Sequence, residues 1–217
     1  LSVAALDGRP GVYTADWGLC YGDKAIMSSL PPSRRDEEPA AHLAFQMLGK
    51  DIIEAPHRFG GQGDALICGD LCFMGSHYRT DPKMHGFVAK ELGLKCIGLQ
   101  TVPAKGKATN SVTSWPDSDF FALDLALAVI KAQAGKTRSL LAWCPGAFTP
   151  DSQKGLRALK GFDKIEVELA EARDVLACNL ISTGKTVIMS GHAPQLQAAI
   201  EGHGLKVDTL NLPELAK

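Results

Sequence analysis

Three aspartates stand at matching places in this sequence, each heading a short apolar run: Ala15-Asp16-Trp17, Gly63-Asp64-Ala65 and Leu123-Asp124-Leu125. A fourth run opens at Cys178-Asn179, with an amide where the others have an acid. Carboxylates gathered around one axis suit a planar cation, because a guanidinium offers N–H donors spaced to meet carboxylate oxygens in pairs. Taken singly, each aspartate also reads as a turn residue ahead of a strand. Three in register point to a central acidic pocket.

Other groupings carry less. Thr183-Gly184-Lys185-Thr186 has the tail of a phosphate-binding loop, but Asn179 stands where its first glycine belongs and a strand pattern follows the threonine. Cys68, Cys72 and His77 could be taken for zinc ligands, but Cys68 and Cys72 fall on strands of one hairpin with no second pair nearby, so the cysteines read as core. Ser76 has no Gly-x-Ser-x-Gly elbow around it. Neither a metal nor a cofactor is expected.

The aspartates owe their register to a repeat. Gly18 to Tyr21, a Gly-Asp pair, and Lys24 to Ser28 read as a strand, a tight turn and a strand. Asp36 to Leu48 carries helical apolar spacing, Gly49 ends it, and Asp51 to Ala55 is a third strand. The same order recurs from Asp64 to Leu99. It recurs again from Leu123, read as strand through Ile130, to Glu168, with Thr149-Pro150 opening the helix. The last copy runs from Asn179 to Leu210. The unit is therefore strand-strand-helix-strand, four times, at a spacing of about 45 to 60 residues. Each unit must pack its remaining surface on its neighbours, and a closed ring leaves fewer open edges than an array. The fold class read here is α/β, a propeller of such modules around a central pocket. Pro103 to Ser118, rich in Lys, Thr, Ser and Pro, interrupts the third unit as an exposed insertion carrying Trp115.

Bulk properties exclude some partners. With 217 residues, 45% hydrophobic and 22% charged, the chain fits one well-buried domain. A net charge of −1 offers no basic face to nucleic acid, and Arg34-Arg35, followed by Asp36-Glu37-Glu38, reads as a solvated helix start. The longest apolar runs are too short to span a bilayer, so no membrane partner is expected. Six cysteines without a CxxC pair read as buried thiols in a reducing, intracellular compartment, the cytoplasm or a mitochondrion.

Thr14-Ala15-Asp16, Pro32-Ser33-Arg34-Arg35, Gly61-Gln62-Gly63-Asp64-Ala65-Leu66, Gly69-Asp70, Met74-Gly75-Ser76-His77-Tyr78-Arg79-Thr80 and Leu123-Asp124 resemble the guanidine-modifying (pentein) superfamily, and within it dimethylargininases and amidinotransferase-type proteins. The resemblance covers nearly the whole chain in motif order. It implies a five-bladed α/β propeller, of which four modules are recognisable, so residues 1–217 read as a single domain incomplete at both ends. It also implies a cysteine that attacks the guanidinium carbon and a histidine, oriented by a glutamate, that serves as acid and base. Carried over residue by residue, Asp16 and Asp124 hold the substrate guanidinium, Asp64 supports the substrate loop, and Arg79 orders that loop or meets a substrate carboxylate.

The chain departs from that pattern where the chemistry would be done. The histidine position is Ala122, the glutamate position is Gly60, and the cysteine is expected past Asn211-Leu212-Pro213, beyond Lys217. The reading is thus a cysteine-dependent hydrolase of guanidino compounds, dimethylarginine or arginine to citrulline, with its catalytic pair replaced. The alternative is an inactive pseudoenzyme kept as a binding or structural subunit. The expected partners are a small guanidino molecule and, as homo-oligomer or subunit, other protein chains.

Overall fold

The computed structural model describes residues 13–106, 109, 115–132 and 138–210. The expectations for residues 1–12, for 107–108 and 110–114 of the insertion, and for the segment around Asn211-Leu212-Pro213 up to and past Lys217 lie outside the described residues.

Four three-stranded sheets form, one per repeat. The first holds β1 (Gly18–Tyr21), β2 (Lys24–Met27) and β3 (Asp51–Ile53), with α1 (Glu38–Met47) between β2 and β3. The second holds β4 (Ala65–Cys68), β5 (Leu71–Gly75) and β6 (Lys95–Leu99), with α2 (Lys83–Leu92). The third holds β7 (Leu127–Lys131), β8 (Ser139–Trp143) and β9 (Phe162–Glu166), with α3 (Pro150–Ala158). A short helix, α4 (Leu169–Asp174), leads to the fourth, made of β10 (Ile181–Ser182), β11 (Thr186–Ser190) and β12 (Lys206–Leu210), with α5 (Pro194–Gly202). In every sheet the first two strands pair antiparallel and the last two parallel. The local chemistry explains the alternation. An antiparallel pair needs only a tight turn, and Gly22 and Gly69 supply one with φ of 60° and 65°, a region that side chains resist. A parallel pair needs a crossover, which is the helix.

Four strand-strand-helix-strand modules are therefore present, and the fold is the expected propeller-like arrangement. The first strands lie inward in chain order: β4 runs beside β7, β7 beside β10, and β1 meets the turn that precedes β4. Three apolar clusters fill the spaces, the largest running from Phe73 through Leu141 and Trp143 to Met189 and Ile200. Truncating such a side chain costs about 2–5 kcal/mol.

Several details differ from the sequence reading. Leu123–Leu125 is a 3-10 turn and the third module's first strand begins only at Leu127, because the turn is what swings Asp124 inward. Pro32–Glu37 is likewise 3-10, so α1 starts at Glu38. Thr149 does precede α3, yet its hydroxyl donates to the Ser152 hydroxyl and caps no backbone N–H. The short α4 went unread; its Glu171 carboxylate accepts from the Gln195 and Leu196 amides and so caps α5 from outside. Among the described residues no helix is long and apolar enough to cross a membrane.

Candidate functional site

Each of the three aspartates sits on a 3-10 turn ahead of an inner strand: Thr14–Trp17, Gly61–Asp64 and Leu123–Leu125. Such turns stop the chain from pairing as sheet and aim one side chain at the axis. Gly63 sits where two of them meet. A Cβ built there would lie 2.9 Å from Asp16 Oδ1 and 3.4 Å from Asp124 Oδ2, so only a bare backbone lets the two carboxylates close in.

Asp16 is held from behind. Arg34 Nη1 donates to Asp16 Oδ2 at 2.5 Å, Arg34 Nε and Nη2 donate to the two oxygens of Glu37 at 2.8 Å, and Trp17 Nε1 donates to Glu37 at 2.9 Å. Glu37 is fully buried and Arg34 nearly so. The solvated reading of this charge run holds for the exposed Arg35 and Asp36 but fails for Arg34 and Glu37, because helical spacing of i and i+3 brings those two together inside the protein. Burial works against the Arg34 charge, but its bonds to Glu37 and Asp16 outweigh it and raise the pKa. One oxygen of Asp16 is thus committed, and Oδ1 remains toward the axis.

Asp64 is 2% exposed. Its Oδ1 accepts the Leu123 amide at 2.9 Å, tying the second module's turn to the third's. Oδ2 has no hydrogen bond of ordinary geometry among the described residues, although the Thr80 hydroxyl is near enough to favour the charged form. Burial pushes its pKa to about 7, partly offset by Thr80, the Leu123 amide and Arg79. Asp124 accepts from Asn179 Nδ2 at 2.9 Å. Burial first, then the charges of Asp16 and Asp64, hold its pKa well above the usual carboxylate range. Asn179 is the fourth module's equivalent residue, so all four register positions meet. Asp124 lines a central cavity of about 750 Å³ with Gln62, Cys178, Tyr21, Lys131 and Lys185.

Arg79 is half-buried beside this cluster. Burial lowers its pKa, while Asp16, Asp64 and Asp124 favour its charge. Its guanidinium lies 4.4 Å from the Phe121 ring centroid and 5.7 Å from that of Trp115. Gly60 and Ala122, the positions expected to bear the catalytic pair, line one small cavity together with Asp16, Arg79 and Phe121. That cavity holds only about 10 Å³, the room of a single water.

The six cysteines are free. Burial raises Cys178, which lines the same cavity as Asp124, and Cys144, Asp124 and Glu171 push it further, so it stays protonated. Cys96 is the exception, lowered by the hydrogen bond from Cys72, its register partner on β5, and both belong to the apolar cluster of the second module. Phe121, Trp115, Arg34 and Glu37 are the site residues that sequence reasoning missed.

No family model matches the chain. It is 30% identical over 217 residues to N(G),N(G)-dimethylarginine dimethylaminohydrolase of Mycobacterium tuberculosis (strain ATCC 25618 / H37Rv), a match covering 99% of this chain and 65% of that protein. The chain thus spans less than two-thirds of that relative. The substrate-bound N-terminal domain of ArgZ, an arginine dihydrolase from the ornithine-ammonia cycle in cyanobacteria, aligns with a TM-score of 0.77 at 25% identity, covering 94% of this chain and 70% of that one. AgrE in a binary complex with L-arginine gives 0.79 at 27% identity, with 94% and 29% covered.

Proposed function

The chain is a member of the guanidine-modifying superfamily, related to dimethylarginine dimethylaminohydrolase and arginine dihydrolase, and from that premise we propose that its acidic centre binds the guanidinium of an arginine-type ligand without hydrolysing it. The observation that carries this reading is the meeting of Asp16 Oδ1 and Asp124 Oδ2 over the bare backbone of Gly63. Two carboxylates around a planar cation need no histidine to bind it. Arg79, on the same side, meets the ligand's carboxylate, and Asp64 holds the loop that carries Gly63.

Turnover would require more. Attack on a guanidinium carbon needs a thiolate and a group that moves protons near neutral pH. Ala122 and Gly60 supply neither part of that proton relay, their shared cavity is too small for an imidazole, and Cys178, which lines the cavity with Asp124, is held protonated. The second reading is a working guanidino hydrolase of the dimethylarginine-to-citrulline kind, favoured by the relatives' activities. Calorimetric titration with arginine, dimethylarginine and agmatine, run beside a citrulline assay, separates the two. Binding without citrulline supports the proposal. Citrulline formation overturns it in favour of the hydrolase, and no binding at millimolar ligand by folded protein rejects both.

A further inference from the structure

We infer that Cys96 and Cys72 form an oxidation site, at which a hydroperoxide converts Cys96 to a sulfenic acid and Cys72 resolves it to an internal disulfide. The inference stands apart from the guanidinium-binding reading, because neither cysteine lines either cavity described above.

The register of the second sheet makes the pair. β5 and β6 run parallel, and Cys72 stands directly across from Cys96. Neighbouring strands lie about 4.7–4.9 Å apart, and register partners send their side chains to the same face. A disulfide joins residues whose Cα atoms are about 4.4–6.8 Å apart, so the two strands can be bridged where they stand. The other cysteines lack such a partner: Cys20 faces Ala25, Cys68 faces Leu71, and Cys144 and Cys178 lie outside the strands. Cys144 and Cys178 are near enough to repel each other as thiolates, but both are sealed, at 0% and 1% exposed.

Burial divides the roles within the pair. Cys72 is enclosed by the apolar cluster that includes Met84, Val88 and Leu92 of α2. Cys96 is half-buried on β6, the outer strand of its sheet, between exposed Lys95 and half-buried Ile97. An oxidant arriving from solvent therefore meets Cys96 first. The hydrogen bond between the two thiols sets the same order. It favours the Cys96 thiolate and keeps Cys72 protonated, whereas burial raises the other four thiols. A partly exposed thiolate beside a second thiol is what reversible oxidation requires.

The chemistry takes two steps. The Cys96 thiolate attacks an oxygen of the hydroperoxide, an S–O bond forms, and the O–O bond breaks. Water or an alcohol leaves with the proton that Cys96 gave up. The Cys72 sulfur then attacks the Cys96 sulfur, forming the S–S bond as the S–O bond breaks, and the departing hydroxide takes the Cys72 proton as water. Two electrons pass from the two sulfurs to the peroxide. The bridge closes the loop that carries Arg79, Thr80 and α2.

The test treats the folded 217-residue chain with hydrogen peroxide, blocks the remaining thiols with iodoacetamide and maps every cysteine by mass spectrometry. Two of the six free thiols should be lost, with the Cys72 and Cys96 peptides linked, and dithiothreitol should restore both. Dimedone should trap a sulfenic acid at Cys96 in Cys72→Ala, while Cys72 should stay free in Cys96→Ser. The same treatment in urea should spread linkages over all six cysteines. The wild-type map decides the matter even if a variant does not fold. A Cys144–Cys178 linkage, a bridge between two chains, or an equal yield of the Cys72–Cys96 bridge in urea overturns the inference. So does Cys96 remaining free at a peroxide dose that consumes the thiols of the unfolded chain.

Discussion

Gly60 and Ala122 line the same small cavity, so the two positions at which the catalytic pair was expected are neighbours in space. The first is closed to any side chain. A Cβ at Gly60 would sit 2.8 Å from Arg79 Cβ and 2.9 Å from Asp64 Cβ, closer than real Cβ contacts come. Gly60→Ala is expected to destabilise the chain by about 1–3 kcal/mol, the range of overpacked sites. Chemical denaturation of the two proteins checks this. A midpoint equal to wild type would mean that Arg79 and its loop give way freely.

A second cost is predicted behind Asp16. Glu37→Gln leaves the buried Arg34 cation with one of its three carboxylate contacts, the one to Asp16, and removing one partner of a buried pair costs about 3–5 kcal/mol. Trp17 Nε1 keeps an acceptor in the glutamine carbonyl, so the loss reports the ion pair rather than the indole bond. Thermal unfolding followed by circular dichroism measures it, and a loss under about 1 kcal/mol would place this pair among the weak surface type.

Much of this was readable in advance, for definite reasons. The hairpins announce themselves through Gly22 and Gly69 between apolar runs, and the helices through their spacing and terminal glycines. Once the modules are in register, the convergence of Asp16, Asp64, Asp124 and Asn179 follows from the ring. What stayed hidden depends on contacts between distant segments. Nothing local distinguishes the charges of Arg34 and Glu37 from a solvated run; only their burial against Trp17 and Asp16 makes them a pair. Trp115 sits in a polar, Pro-rich stretch read as exposed, and its half-burial and stacking on Arg58 and Arg79 are properties of three loops together. The 3-10 turn at Leu123–Leu125 was read as strand because apolar residues continue without a break into β7.

Asp64 makes stability depend on pH. Its ordinary pKa of 3.8 rises to about 7 in the folded chain, with burial as the main cause. Between those values the folded protein holds a proton that the unfolded chain has released, so stability falls as pH rises from about 4 to 7. The contribution is complete at the acidic end and lost above the folded value. Asp64→Asn removes this titration while its carbonyl still accepts the Leu123 amide. Melting temperatures of the wild type should decline between pH 5 and pH 8 more steeply than those of Asp64→Asn. Parallel curves would assign the pH dependence to another group.

Binding of a guanidinium should depend on pH in the opposite sense. Asp124 is held neutral well above the usual carboxylate range by burial and by the charges of Asp16 and Asp64. An incoming cation stabilises the charged form, so the proton leaves as the ligand enters, and raising the pH removes that step from the ligand's cost. Affinity for arginine is therefore expected to increase as pH rises from 6 to 8, with protons released on binding. Calorimetry in two buffers of different ionisation enthalpy counts those protons. Asp124→Asn keeps the size of the side chain and its contact with Asn179 but cannot become an anion. It should weaken binding by about ten- to hundredfold, the value of a charge-assisted hydrogen bond, and reduce the proton release. If Asp124→Asn binds arginine as the wild type does, with the same pH slope, Asp124 is not a cation-holding acid. The pH dependence would then belong to Asp64, and titration of the Asp64→Asn variant would show it flattened.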